Sequence, residues 1–302
     1  VLGGIVRQAH AGIARPAPAG IVRPARRPPG WQAPGPPPAA SPDPAFGPRA
    51  GEDLCYLAGD WRILQQIAGH RWSLDDLVTA WVAASAVAGA PPTRLMDLGC
   101  GIGTVLMLLA WRFPEAHGVG IEAQAASVDL ARRSLVWNGA DGRCEVLPGD
   151  FRDAAVLAER GTFDLVTGTP PYLTPGHATA SHRAQCGPCH FEERGGVEDY
   201  CAAAARLLAP RGRFVLCAAA SQHERVVRGA AGASLGVAER VEVVPREGKQ
   251  PLFAVYVCRR AGDFVYGDAL PAPSSATLTV RDAAGQWTPA FRALRSAMGI
   301  PV

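Results

Sequence analysis

Between residues 94 and 259 the chain alternates short apolar runs with amphipathic stretches, and no other feature of the sequence constrains the fold as much. Residues 94–98, 117–121, 143–147, 163–166 and 212–217 are short, predominantly apolar stretches that read as strands. The segments between them, 104–113, 124–137 and 197–208, and the one that follows, 222–229, carry apolar residues at helical spacing. Two consecutive strands, 238–244 and 252–259, close the series. Strand and helix in strict turn predict an α/β fold: a Rossmann-like, doubly wound sheet of seven strands, with an antiparallel C-terminal hairpin at its edge. Ahead of it, residues 74–84 form a further helical pattern behind Ser73, a plausible N-cap. Ligands of such sheets bind beyond the carboxyl ends of the strands.

Residues 1–50 have a different character. They hold 12 of the 27 prolines, six arginines and one acid, Asp43. A repeat of period eight runs through them, Gly4-Ile-Val-Arg, Gly12-Ile-Ala-Arg and Gly20-Ile-Val-Arg, with no face to bury. The expected organisation is therefore a disordered extension over 1–50 and one folded domain over 51–302. An Arg-rich, acid-poor segment suits an organelle transit peptide, whereas a single serine and an initial Val suit an uninformative extension. The expected location is cytoplasmic, or organellar if the segment is a transit peptide.

Charge excludes less than its sign suggests. Of the 30 basic residues 29 are Arg, which with the abundance of Ala, Gly and Pro points to compositional bias. Beyond residue 50, 24 basic residues face 26 acidic ones, so binding of nucleic acid by bulk charge alone is disfavoured. No run approaches the roughly 18 apolar residues of a membrane helix, so no membrane partner is expected. Eight cysteines spread over this length do not make a disulfide scaffold and predict a reducing compartment.

Asp97-Leu-Gly-Cys-Gly-Ile-Gly103 ends the first strand and opens a helix. Gly99, Gly101 and Gly103 allow a sharp turn lying against a ligand, with Cys100 between them. Such turns also serve dinucleotides, but the G-x-G-x-x-G spacing that suits a pyrophosphate is missing. Glu122 ends the second strand, where a carboxylate accepts from ribose hydroxyls, as in dinucleotide sites. Asp150 ends the third, where it can take an exocyclic adenine amine while Phe151 packs near the ring. Asp97 before the first glycine and an acid after each of the next two strands resemble the layout of S-adenosylmethionine-dependent methyltransferases.

The fourth strand ends in Thr169-Pro-Pro-Tyr172. This resembles the Asn/Asp-Pro-Pro-Tyr signature of methyltransferases that alkylate planar nitrogens. The chemistry accounts for the residue types. A conjugated NH2 group is a poor nucleophile, so its protons must be accepted and its nitrogen held in line with the methyl donor. Pro170 and Pro171 fix the backbone so that a carbonyl faces the amine, and Tyr172 offers a face for a flipped base. Thr169 departs from the signature: its hydroxyl accepts one hydrogen bond but lacks the carboxamide of Asn.

Over residues 54–302 the chain resembles bacterial tRNA (adenine-N6)-methyltransferases, which modify the adenine beside the anticodon of a valine tRNA. Gly69-His-Arg-Trp-Ser-Leu-Asp, Arg194-Gly-Gly-Val-Glu-Asp-Tyr, Arg246-Glu-Gly-Lys-Gln-Pro-Leu and Trp287-Thr-Pro-Ala-Phe-Arg carry the likeness. The resemblance implies a class I methyltransferase fold, S-adenosyl-L-methionine as cofactor and tRNA as substrate. A protein glutamine or small-molecule acceptor, and a catalytically silent RNA- or partner-binding module, are the alternatives.

Lys249, the only lysine, is either a substrate-phosphate contact or a turn residue. Arg132-Arg133, Arg211 with Arg213, Arg225 with Arg228, and Arg259-Arg260 are expected on solvated surface, some of them contacting RNA phosphates. Cys186-Gly-Pro-Cys189, with His177, His182 and His190 nearby, is expected to be a plain loop; half a metal site and a redox pair are the other readings. No metal is expected.

Overall fold

A computed structural model describes residues 19–24, 26–39, 42–69, 71–171, 195–264 and 272–302. Its centre is an eight-stranded sheet of β4 (Arg94–Leu98), β5 (His117–Glu122), β6 (Cys144–Pro148), β7 (Phe163–Gly168), β8 (Leu208–Ala219), β9 (Leu235–Val244), β10 (Phe253–Arg260) and β11 (Ser274–Thr279). They lie in the order β11-β9-β10-β8-β7-β4-β5-β6. The α/β architecture is the expected one, and β9 and β10 form the antiparallel hairpin. An eighth strand lies outside that hairpin: β11 pairs parallel with β9, Ser274 opposite Glu239. Four of its six residues are exposed, which is why no apolar run announces it.

The apolar runs follow from burial on both faces. Along β8, Val215 and Cys217 join one core while Phe214, Leu216 and Ala218 join the other. The first face carries α1 (Leu74–Ala86), α2 (Thr104–Arg112), α3 (Ala125–Trp137) and, through Phe291 and Leu294, the last helix, Pro289–Ala297. The second carries α4 (Ala154–Leu157), α5 (Val197–Leu207) and α6 (His223–Gly232), so the last helix is α7. Cys100, Cys144, Cys201, Cys217 and Cys258 are buried free thiols that pack as small apolar residues. Among the described residues no helix is long and apolar enough to cross a membrane.

A second sheet precedes the first. Its strands are β1 (Ile21–Val22), β2 (Glu52–Tyr56) and β3 (Arg62–Gln66), in the order β1-β2-β3. Side chains of α3 cover the open edge of β3: Ser134 Oγ accepts from Leu64 N (2.9 Å) and Asn138 Oδ1 from Arg62 N (2.9 Å). Both side chains are buried, so the edge pairs with the helix instead of with another chain.

The N-terminal segment departs from expectation. Where the composition predicts a disordered extension, the described residues before 51 lie against the domain. β1 pairs parallel with β2, and the Arg23 guanidinium pairs with the fully buried Asp53 at 2.7 Å. Arg27 pairs with Asp60 at 2.5 Å, and a Cβ on Gly35 would strike the Trp111 indole. The physical reason is that this segment needs no core of its own. Arg23, Arg27 and Arg49 find carboxylates on the domain, at Asp53, Asp60 and Asp129. Deleting residues 1–50 is therefore expected to lower the melting temperature by about 5 °C or more, since Asp53 loses one of its two guanidinium partners. An unchanged melting curve would show that these contacts contribute nothing.

Candidate active site

The carboxyl ends of β4, β5, β6 and β7 open into a cavity of about 480 Å³. The strand order reverses there, because β4 has β5 on one side and β7 on the other, and the crevice between diverging connections is where such sheets bind ligands. Gly99, Cys100, Gly101, Glu122, Asp150, Phe151, Thr169, Pro170 and Pro171, all singled out from the sequence, line this one cavity. Asp97 and Gly103 shape the glycine turn without lining the cavity. Tyr172 and the Cys186/Cys189 pair lie outside the described residues. Lys249 is exposed in the β9–β10 turn, at the same end of the sheet but beyond β10 and β8 from β7.

The turn works because it is built of glycine. Gly99, Gly101 and Gly103 have φ of 59°, 56° and 83°, in the region that penalises a side chain. At Gly99 there is also no room, since a Cβ would meet the Tyr200 hydroxyl. At Gly101 a Cβ would meet nothing within 4 Å, so this backbone faces open cavity. Tyr200 sits in the first turn of α5 and also lies over Gly168. Its ring tilts against Phe151 with centroids 4.4 Å apart, and together they form an aromatic wall.

Four acids surround the turn, each held differently. Glu122 Oε2 accepts from Gly101 N (3.0 Å) and Oε1 from Gln124 N (2.7 Å), which orients the carboxylate across the mouth of the turn. Asp150 forms a close ion pair with Arg152, 2.6 Å, with both side chains partly exposed. Asp97 is buried beneath the turn: Oδ1 accepts from the Thr167 hydroxyl (2.7 Å) and Oδ2 from Leu106 N (3.2 Å). Burial pushes its carboxyl up to about 7 despite those two donors. Asp76, at the start of α1, lines the cavity and accepts from Ser73 N (2.9 Å). Burial, with Asp75 and Asp97 adding like charge, raises its carboxyl well above the usual range.

Arg71, Asp75, Asp76 and Tyr200 were not predicted as site residues, yet they line the cavity. Arg71 Nη1 donates to Asp53 Oδ2 (3.0 Å), which places a cation beside the buried acids. The available signal was positional. All four lie within the stretches 69–75 and 194–200 that carry the family likeness, or next to them. The Cys100 thiol is pushed far up by burial, with Asp97 and Glu122 adding to the shift, which suits packing and not nucleophilic attack.

Comparison with known proteins agrees with this geometry. Residues 91–236 match the family model described as a methyltransferase domain. The chain is 31% identical over 224 residues to a tRNA1(Val) (adenine(37)-N6)-methyltransferase of Dickeya chrysanthemi, covering 72% of this chain and 83% of the relative. A protein of the same description from Porphyromonas gingivalis is 32% identical over 143 residues, 46% of this chain and 54% of the relative. A release factor glutamine methyltransferase of Bordetella pertussis is 31% identical over 159 residues, 50% of this chain and 54% of the relative. The chain thus spans about half the length of the last two relatives. Among solved structures, a predicted O-methyltransferase of Agrobacterium tumefaciens shares the fold, with a TM-score of 0.52, 20% identity and coverage of 76% of this chain and 98% of that one. With the glycine turn, the acids at successive strand ends and the Pro-Pro strand end in one cavity, the chain belongs to the S-adenosylmethionine-dependent methyltransferases.

Proposed function

We propose that this chain is an N-methyltransferase that methylates the N6 amine of an adenine in RNA, with tRNA as the substrate. The observation that carries the reading is that Thr169-Pro170-Pro171 and the glycine turn with Glu122 face one cavity. Support for adenine comes from the likeness to the Dickeya relative, which extends over most of that protein's length. Support for a protein glutamine acceptor comes from the likeness to the release factor methyltransferase.

The cavity fits S-adenosylmethionine. Gly101 leaves backbone open to a ligand, and several acids meet a molecule that carries positive charge. Bound there, the cofactor supplies an electrophilic methyl on sulfur. Glu122 would hold the ribose hydroxyls and Phe151 would pack on the adenine. Asp150 would accept the adenine amine while sharing its carboxylate with Arg152. On the acceptor side, the Thr169 hydroxyl and the Pro170 carbonyl would accept the two protons of the target amine. This holds its lone pair toward the methyl, and Tyr172 would stack on the base.

Glu122→Ala is expected to weaken cofactor binding by about 1–3 kcal/mol in calorimetry, the loss of hydrogen bonds to a charged acceptor. Unchanged affinity would remove that assignment. The substrate is tested by incubating tRNA with protein and labelled cofactor and analysing the nucleosides by mass spectrometry. Labelled N6-methyladenosine is the expected product, retained or increased in Thr169→Asn and lost in Thr169→Ala. Label in a glutamine of a protein acceptor would favour the second reading, and no transfer to any acceptor would favour a silent binding module.

A further inference from the structure

The period-eight repeat of the N-terminal segment has a structural meaning in its third copy. Gly20-Ile21-Val22-Arg23 is the segment that forms β1 and docks parallel to β2, Ile21 opposite Asp53 and Val22 opposite Leu54. Each position meets a different demand. A Cβ on Gly20 would run into the Pro48 carbonyl, so only glycine fits. Ile21 is half-buried, whereas Val22 is 56% exposed and free to vary. Arg23 N donates to Leu54 O (2.9 Å), and its Nε (2.8 Å) and Nη2 (2.7 Å) both reach Asp53 Oδ2, on a side chain with no exposure. Arg62 Nη1 donates to the Arg23 carbonyl (3.0 Å) and closes the strand end.

These demands describe a recognition pattern, Gly-Ile-x-Arg, with x facing solvent. All three copies satisfy it, and of the first two only the second also keeps the flanking Ala and the Pro-Ala that follows the arginine. Ala11-Gly-Ile-Ala-Arg-Pro-Ala17 and Ala19-Gly-Ile-Val-Arg-Pro-Ala25 differ at one position of seven, and that position is the exposed one. We propose that the edge of β2, with Pro48, Asp53, Leu54 and Arg62, is a binding site for a Gly-Ile-x-Arg strand, and that Gly12–Arg15 of the same chain is its alternative occupant. Main-chain pairing along a sheet edge supplies affinity, and the glycine and arginine positions supply selectivity. An exchange moves the strand by eight residues and lengthens the connection to Arg27, which stays anchored on Asp60. Either occupant leaves an arginine on Asp53, whose Oδ2 also holds Arg71 of the cavity. The exchange therefore preserves the charge balance beside the active site.

The test uses the full chain. Gly20→Val places a branched side chain against the Pro48 carbonyl and disables the third copy. The expected result is a melting temperature within about 2 °C of the parent, with exchange of the amides of residues 13–15 slowed about tenfold or more. Gly12→Val alone should change neither, and Gly4→Val/Gly12→Val/Gly20→Val, with every copy disabled, should lower the melting temperature by about 5 °C or more. Arg23→Gln against Arg7→Gln/Arg15→Gln/Arg23→Gln repeats the comparison without a steric change and should show the same order. Three results would overturn the proposal. The first is a Gly20→Val loss as large as that of the triple variant with no new protection. The second is a triple variant as stable as the parent. The third is concentration-dependent dimerisation of Gly20→Val, which would mean that a second copy fills the site.

Discussion

Arg133→Ala is expected to cost about 3–5 kcal/mol of folding stability, the largest loss from any single arginine among the described residues. The Arg133 side chain is 4% exposed and Glu52 6%. They form a two-pronged pair, Nη2 to Oε1 at 2.7 Å and Nη1 to Oε2 at 3.0 Å. Nη1 also donates to the Gly47 carbonyl (2.9 Å) and Nε to Asp129 (2.9 Å). One guanidinium thus ties α3 to β2 and to the N-terminal segment. Removing it leaves the Glu52 carboxylate without its cation, held by the Arg49 amide (2.8 Å), in a buried site where an unneutralised charge is costly. Denaturant titration should show a lower midpoint with an unchanged slope. Glu52→Gln in the Arg133→Ala background should recover part of the loss, because the stranded charge disappears. If Arg133→Ala behaves like a surface substitution, near 0.5 kcal/mol or less, the pair is not buried in solution.

The same residue shows where the sequence stops being informative. Arginine is so common in this chain that Arg132-Arg133 is expected on a solvated helix face, and Arg133 instead lies inside. Glu52 and Asp53 hide β2 in the same way, since a run that opens with two acids does not look like a strand, although both side chains are buried. Their partners, Arg133 and Arg23, lie 81 and 30 residues away in sequence, a separation that local pattern cannot bridge. The central strands were legible for the opposite reason. With both faces covered, β4, β7 and β10 are dominated by apolar residues and bounded by turns, and the glycine turn and Pro-Pro strand end mark the carboxyl edge. The roof of the cavity was not legible as a site. Asp76 serves as a helix-capping acid and Tyr200 as an apolar helix residue, and only the fold brings them to the cavity.

Stability of the ligand-free protein should fall as pH rises from about 4 to about 7, and Asp97→Asn should remove a large part of that fall. Burial is the largest influence on Asp97 and pushes its carboxyl up to about 7, against the pull of the Thr167 hydroxyl and the Leu106 amide. In the unfolded chain the same group titrates near 4. Between these values the folded state holds the extra proton, so each rise in pH favours unfolding. Below about 4 both states are protonated, and above about 7 both are ionised and the full penalty is present. The gap corresponds to about 4 kcal/mol. Asp76 acts in the same direction. Asp53, Asp164 and Glu198 have lowered values and act in the opposite one, losing stability only as pH falls below the ordinary carboxylate range. The difference between wild type and Asp97→Asn cancels those contributions, so the variant should gain on wild type as pH rises from 5 to 7 and keep a constant lead above. A cationic ligand in the adjoining cavity favours the ionised acid, so S-adenosylmethionine should bind more tightly toward pH 8. Calorimetry near pH 6.5 should then show proton release that Asp97→Asn diminishes. Parallel stability curves for the two proteins between pH 5 and 8 would return the Asp97 carboxyl to the ordinary range and remove the proton linkage with it.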